Sequence, residues 1–317
     1  MKVLNKKNII TLVLILVFYS VIQGLISARV INSFYEITIA TICINIILAV
    51  SLNLVTGFTG QFSLGHAGFM SIGAYAGALT VMNTNSTMGF LAGVLIGAIA
   101  AAFVGIIIGI PTLRLKGDYL AIATLGMAEI IRVVFLNMND ITNGAAGLNG
   151  IPRYANWLWL FVFTAVTLIL INNFIKSSLG RACISIREDE IAAESMGINT
   201  TKYKVMAFSI GAFFAGIAGA LYSSYFYFIK PDLFGFMKSI DILVIVVFGG
   251  MGSITGSIIA AIVLAVVTTF LQSFAALRMI FYALLLIIIM IFRPQGLLGT
   301  KEITDLFKFK KKSEKIE

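Results

Sequence analysis

The chain is poor in charge. Of its 317 residues only 12% are Asp, Glu, Lys or Arg, against roughly 25% in a soluble domain. So few ionic groups cannot cover a water-facing surface, whereas a lipid-facing one needs almost none. A single histidine, His66, rules out His-rich metal sites. Two cysteines, Cys43 in an apolar run and Cys183 in a basic loop, imply no disulfide framework. Neither H-E-x-x-H nor G-x-x-x-x-G-K-[ST] occurs, so the sequence carries no such zinc site and no phosphate-binding loop of its own. Apolar residues abound instead: 59% are hydrophobic, against roughly 45–50% in soluble domains, and the mean hydropathy is +1.01. This is the composition of an all-α polytopic integral membrane protein, not of a soluble enzyme or a nucleic-acid binder. The net charge of +9 fits the inner side of a membrane better than nucleic acid.

A hydrocarbon core of about 30 Å takes about 20 helical residues. The runs 9–28, 37–56, 88–110, 118–138, 157–175 and 205–229 qualify. Segment 57–82 is apolar but broken by glycine, and 239–273 is too long for one span and short for two. Segment 279–292 is short unless Arg278 and Arg293 snorkel to extend it. The first run follows Lys2, Lys6 and Lys7, as a signal peptide would. Its length and the poor cleavage site Ile26-Ser27-Ala28 favour a retained helix.

Basic residues orient the chain. With the N-terminus inside, the inner segments hold Lys2, Lys6, Lys7, Arg114, Lys116, Lys176, Arg181, Arg187, Lys202, Lys204, Arg293 and the tail lysines 301–315. The outer segments hold only Arg29, Arg153, Lys230, Lys238 and Arg278. A basic tail on the inside requires two crossings in 239–273, turning near Gly249-Gly250-Met251-Gly252. Counting 57–82 as one crossing gives about ten transmembrane helices with both termini cytoplasmic. The alternative is one long helix with a re-entrant segment in either glycine-rich region. Gly57-Phe-Thr-Gly60 with Ser63 loosely resembles Gly249-Gly-Met-Gly252 with Ser253, so an internal repeat and chance both account for the pair.

Residues 57–77 read GFTGQFSLGHAGFMSIGAYAG. Glycine weakens helices and lets them pack closely. One reading is a packing face, as at Gly73/Gly77, Gly93/Gly97 and Gly105/Gly109. The other is a broken helix lining a pathway, with Gly57, Gly60, Gln61, Ser63, Gly65, His66 and Gly68 as candidates. His66 either serves that pathway or bonds a neighbouring carbonyl. Glu129 and Arg132, three apart on one helix, form a structural ion-pair candidate. Asp118 reads as a helix cap. The outer segment 139–156, with Trp157 and Trp159 after it, is a connector with an aromatic belt or a docking surface.

The inner loop 176–204 reads KSSLGRACISIREDEIAAESMGINTTKYK. The expectation is one short helix over 186–196, closed by Gly197. Arg187, Glu188, Asp189, Glu190 and Glu194 mix there with Ile186, Ile191, Ala192, Ala193 and Met196. Ala193 and Gly197, four apart, are expected to share a face. Mixed charge disfavours anionic lipid and favours a protein groove.

Ala192-Ala193-x-x-x-Gly197 resembles the cytoplasmic coupling motif of ABC importer permeases. The Glu usual before the two alanines is Ile191 here, with Glu190 one place earlier, and the later Leu-Pro of sugar and peptide importers is missing. With Gly180-Arg181 and the run from Arg187 to Asn199, the loop resembles that of the branched-chain amino-acid permeases of the LivM type. Other stretches agree: Gly57-x-x-Gly-Gln-x-Ser-Leu-Gly-His-Ala-Gly68, Leu115-Lys-Gly-Asp-Tyr-Leu-Ala-Ile-Ala-Thr-Leu-Gly126, Asn143-Gly-Ala-Ala-Gly-Leu-Asn-Gly-Ile-Pro152, and Gly249-Gly-Met-Gly-Ser253 with Arg293-Pro-Gln-Gly296. The sister LivH type usually lacks the Arg-Glu-Asp-Glu run. Related permeases carry urea, short amides or other amino acids.

The resemblance implies one transmembrane permease domain over 1–317, with a coupling loop at 176–204 and a basic cytoplasmic tail at 293–317. It implies a pump in a prokaryotic plasma membrane, built with a homologous LivH-like permease, two cytoplasmic ABC ATPase subunits and an extracytoplasmic substrate-binding protein. ATP and Mg would sit on the partner subunits, and this chain would bind no cofactor, no metal and no nucleic acid. Arg187, Glu188, Glu190, Ala192, Ala193 and Gly197 are the expected ATPase-coupling residues. The rival is an ion-gradient-driven secondary transporter of a small polar solute, which would want acidic groups at mid-membrane. Only Glu129 approaches that in this reading. A membrane enzyme would need a cluster of reactive side chains that the sequence does not offer.

Overall fold

Backbone groups inside a bilayer find no water, so an apolar run satisfies them within itself as a helix. The computed structural model describes residues 32–270 continuously, with Tyr19, Ser20, 22–26, Ala28, Leu284, Ile287, Ile291, Gly296, Leu297 and Gly299 beyond them. Its helices are α1 Ser33–Asn53, continued by a π-helix Leu54–Phe58; α2 His66–Thr84 and α3 Thr87–Thr112; α4 Asp118–Asn137 and α5 Trp157–Lys176; α6 Ser178–Glu188 and α7 Glu190–Ser195; α8 Thr200–Phe226; and α9 Phe236–Gly249 with α10 Ile254–Phe270. Among the described residues, 5 helices are long and apolar enough to cross a membrane: α1 with its extension, α3, α4, α5 and α8. The turn expected near Gly249–Gly252 separates α9 from α10. The expected span 9–28, segment 279–292 and the tail 293–317 lie wholly or largely outside the described residues.

Small residues decide which helices meet. α2, α3 and α8 pack tightly together at Gly73, Gly97 and Gly216. A Cβ on Gly97 would stand 2.8 Å from the Gly73 carbonyl oxygen, and one on Gly216 2.8 Å from that of Gly97. Either would collide, so the three backbones touch because no side chain intervenes. The packing reading of Gly73/Gly77 and Gly93/Gly97 therefore holds. α1 lies against α5, α8 and α10. Burial ranks the spans: 72% of the apolar window in α1 and 67% of that in α8 is buried, against 22% in α4 and in α5. α1 and α8 are central, while α4 and α5 turn Ile122, Ile130, Val134, Ile169 and Leu170 outward, as lipid-facing helices do.

Segment 139–156 is more than a connector. Leu148–Asn149 (β1) pairs antiparallel with Phe228–Ile229 (β2), Leu148 opposite Ile229. Leu148, Ile151 and Ala155 are buried. Trp157 is also buried, its ring stacked on Tyr19, rather than standing at an interface. Asp118 opens α4 but makes no side-chain cap; Gly117 occupies the cap position, and the carboxylate sits in the first turn where the helix dipole favours it.

Candidate functional site

The break in 57–68 is real and closely packed. α1 widens into a π-helix at Leu54–Phe58, and regular helix resumes only at His66. Single-turn π segments mark helices under local strain and often accompany function. Between them Thr59, Gln61 and Ser63 are buried. The Gln61 N–H bonds the Val55 carbonyl at 3.0 Å, while its side-chain Oε1 and Nε2 are buried without a hydrogen-bond partner. The Ser63 hydroxyl oxygen accepts the Gly65 N–H at 3.3 Å. His66 Nε2 lies 2.8 Å from Ser51 Oγ on α1. The Ser51 oxygen also lies 3.0 Å from the Leu48 carbonyl, and the histidine tautomer sets which partner of the pair donates. His66 thus bonds a hydroxyl of α1 rather than the carbonyl named in one of its two readings.

Gly65 and Gly68 make room for a neighbouring helix. A Cβ at Gly65 would lie 2.9 Å from the Thr124 carbonyl oxygen, and one at Gly68 2.9 Å from Ala128 Cα, both on α4. The Leu64 N–H donates to Thr124 Oγ1 at 3.0 Å. A groove of about 640 Å³ between α3 and α8, lined by Ile106, Ile110, Lys202 and Met206 among others, meets none of the break residues.

The two glycine-rich turns touch. Asn53, at the end of α1, accepts the Gly252 N–H at 2.8 Å and donates to the Ser253 carbonyl at 2.9 Å and to Ser257 Oγ at 2.8 Å. A Cβ on Gly57 would collide with the Gly252 backbone nitrogen. Asn53 escapes the sequence reading, although a buried amide within an apolar run is itself a signal.

Loop 176–204 differs from its expectation. Asp189 adopts extended backbone, φ −157° and ψ 111°, and divides the expected single helix into α6 and α7. Its carboxylate accepts the N–H groups of Ile191 and Ala192 at 2.9 and 3.0 Å. Ser177 and Asn199 cap α6 and α8 in the same way. Gly197 lies beyond α7 at φ +81°, a left-handed stop. Ala193 and Gly197 therefore share no helix face, and Ala193 is buried, its carbonyl accepting the Ile198 N–H at 3.1 Å. The most exposed apolar side chains are Ile191 at 74% and Met196 at 83%, with Leu179, Ala192, Glu188 and Glu194 also exposed.

Three charges of the loop, Arg187, Glu190 and Lys204, are partly or wholly covered. Lys204 Nζ donates to Glu190 at 2.6 Å, and Lys116 lies 3.3 Å from the same carboxylate. Burial alone would raise the Glu190 carboxyl, but the hydrogen bonds and charges of Lys204 and Lys116 outweigh it and hold it below its ordinary value. Burial pushes the Cys183 thiol up to about 11, against a weaker opposing hydrogen bond from Thr59. Arg187 Nη1 donates to the Gly57 carbonyl at 2.9 Å, joining loop to break. At the other end of the bundle, Arg132 Nε pairs with Glu129 at 2.7 Å, and its Nη1 reaches Asp232 at 3.3 Å. On α9, Lys238 Nζ lies 3.4 Å from Asn45 Oδ1, and Asp241 is a further acidic residue in that segment that sequence reasoning passes over. Among the described residues no His, Cys, Asp or Glu cluster could hold a metal.

Comparison with known proteins assigns this architecture to a family. Residues 34–290 match the family model described as branched-chain amino acid transport system / permease component. The chain is 38% identical over 298 residues to the high-affinity branched-chain amino acid transport system permease protein LivM of Salmonella typhimurium, covering 83% of this chain and 70% of that one. It is likewise 38% identical over 297 residues to LivM of Escherichia coli K12, covering 83% and 69%. To the LivH permease of Salmonella typhimurium it is 26% identical over 289 residues, covering 81% and 92%. No solved structure matches the chain. The match spans α1 to α10, both glycine-rich turns and the capped loop between them, and the chain belongs to the family of branched-chain amino acid transport permeases.

Proposed function

We propose that the chain is the LivM-type permease subunit of an ATP-driven importer of branched-chain amino acids, leucine, isoleucine and valine. It would line the translocation pathway together with a homologous LivH-like permease. Two cytoplasmic ABC ATPases would supply the energy, with ATP and Mg bound on them, and an extracytoplasmic binding protein would deliver the substrate. The whole of 1–317 acts as one permease domain in a prokaryotic plasma membrane, with about ten crossings, both termini cytoplasmic and the loop 176–204 inside.

The observation that carries this reading is the surface of α6 and α7. Each short helix is capped by its own residue, so the loop holds its shape. On that fixed base, Ile191 and Met196 stand exposed beside Glu188 and Glu194. Exposed apolar anchors with a charged rim are what a protein groove takes up. The ATPase-coupling surface is therefore Ile191, Ala192 and Met196 with the rim acids. Ala193 and Glu190 shape the loop from within, and Gly197 ends α7 from the surface.

The break from Gly57 to Gly68 is the proposed pathway element. Gln61 gives it a buried amide with both polar atoms unpaired, beside Ser63 and the His66–Ser51 pair. The ATPase reading is tested by solubilising the membrane complex and retrieving it through a tag on this chain. Subunits that hydrolyse ATP and are released by Met196→Glu support it; a chain that purifies alone from its native membrane counts against it.

A further inference from the structure

Arg187, on α6, ties the loop to the break through its guanidinium. The last carbonyls of a helix lack intrahelical partners. At the end of α1 the Gly57 carbonyl receives one from Arg187 Nη1, 2.9 Å away and 130 residues on in the sequence. A guanidinium at a helix C-terminus also faces the negative end of the helix dipole. Its Nε, at 3.1 Å, and its Nη2 both donate to the Glu188 carboxylate, so the planar group is held from two sides. The stem is seated as well: a Cβ on Gly60 would stand 3.1 Å from Arg187 Cγ and 3.4 Å from its Cα.

We propose that Arg187 is a positioning residue that carries displacement of the α6–α7 loop into the transport pathway, through its hold on the Gly57 carbonyl at the broken end of α1. It does not serve as a rim contact to the ATPase. The inference rests on the reading of that loop as the ATPase-facing surface. The element it moves is the π-helical end of α1, Leu54–Phe58, which already departs from regular helix. Asn53, just before that segment, is bonded to Gly252, Ser253 and Ser257. A pull on Gly57 is therefore passed to the second glycine-rich turn, and one guanidinium addresses both breaks. A packed interface of this kind shifts between discrete arrangements rather than deforming smoothly.

The role separates from mere docking or mere folding by two substitutions. Arg187→Gln removes the charge and the fork. Arg187→Lys keeps a charged donor that can reach one acceptor at a time. Both are compared with wild type in the purified complex for ATPase retention, ATP hydrolysis and leucine uptake into vesicles loaded with ATP. Wild-type uptake driven by ATP is the control for the functional reading itself; its absence sinks that reading, whatever the variants do. Given that control, Arg187→Gln retains the ATPases within about twofold and still hydrolyses ATP, but loses at least about tenfold in leucine carried per ATP, which is about 1.4 kcal/mol of coupling. Arg187→Lys restores part of that ratio. Loss of ATPase retention in proportion to uptake would make Arg187 a docking residue and overturn the proposal. Failure of both variants to assemble would make it a folding residue and overturn it equally. Hydrogen exchange on the purified complex gives a readout independent of transport: faster exchange of the Gln61 amide in Arg187→Gln is expected, and an unchanged rate contradicts the tether.

Discussion

The Asn53 side chain accepts the Gly252 N–H at 2.8 Å and so ties the end of one central helix to the turn between two others, 199 residues away in the sequence. Neither glycine-rich turn stands alone. Gly57 gives up a side chain where the second turn approaches, and the Asn53 amide satisfies backbone groups that the turn leaves open. The two turns, which look like a faint repeat in the sequence, are one structural unit.

That unit makes Asn53 sensitive. Asn53→Ala leaves the Gly252 N–H without its partner in a buried site and removes the donor to the Ser253 carbonyl and the Ser257 hydroxyl oxygen, at a cost of about 1–3 kcal/mol for an unsatisfied group. Thermal unfolding of the purified protein followed by size exclusion should show a clear fall in midpoint. Ser257→Ala alone should cost less, since it removes only one of the Asn53 partners. Equal midpoints for Asn53→Ala and wild type would remove Asn53 from this role.

Gly97→Leu should prevent assembly, because its side chain has nowhere to go but the Gly73 backbone. Gly65→Leu and Gly68→Leu should also impair folding, since both face α4 at 2.9 Å. Recovery of any of the three as a monodisperse complex with normal uptake would show that these contacts are looser than the packing described.

In the loop, Ile191→Glu and Met196→Glu should leave the fold intact, because both side chains are exposed, yet weaken ATPase association by tenfold or more, about 1.4 kcal/mol. Ala193→Trp should disrupt the loop itself, as overpacking a buried site costs about 1–3 kcal/mol. Limited proteolysis distinguishes the two: faster cleavage of the loop in Ala193→Trp only. Cleavage at the same rate in all three would contradict the assigned burial.

Acid should loosen the same loop. The Glu190 carboxyl is held below its ordinary 4.5 in the folded chain. A depressed carboxylate contributes stability above its unfolded value and loses it as pH falls through the folded one. The difference in unfolding midpoint between wild type and Glu190→Gln should therefore be steady near neutral pH and shrink below about 4.5. A difference that persists unchanged in strong acid would mean that Lys204 and Lys116 do not act through the charge.

Orientation is open to labelling. Asn149 and Ser195 are exposed at the two ends of the bundle, whereas Thr200 is buried against Glu194 and is a poor probe. In a background lacking Cys43 and Cys183, Asn149→Cys should react with an impermeant maleimide from outside and Ser195→Cys only after the membrane is opened. The basic-residue distribution sets this expectation. The reverse pattern would invert the topology.

Much of this was legible from residue types and spacing. Apolar runs marked the five long spans, and glycines at four-residue spacing marked the packing faces of α2 and α3, though not that of α8, because such patterns are local properties of a helix face. The Glu129–Arg132 pair was readable for the same reason, whereas Asp232 was not, being 100 residues distant. The loop shows the limit most clearly. Composition located it, but Asp189 reads equally as a helix residue and as a cap, and only its extended backbone decides. Once α7 begins at Glu190, the face turns, Ala193 goes inward and Met196 outward. Asn53–Gly252 and Arg187–Gly57 are contacts across 199 and 130 residues, and no local pattern encodes them.

Energy source is the point on which the account stands or falls. The decisive measurement is leucine uptake into sealed vesicles carrying the purified complex, with ATP inside and all ion gradients collapsed by ionophores. Uptake that requires internal ATP, persists without gradients and is lost in Met196→Glu is the predicted result. Uptake that runs on an ion gradient without ATP, or is indifferent to Met196→Glu, would contradict it and return the chain to the secondary transporters.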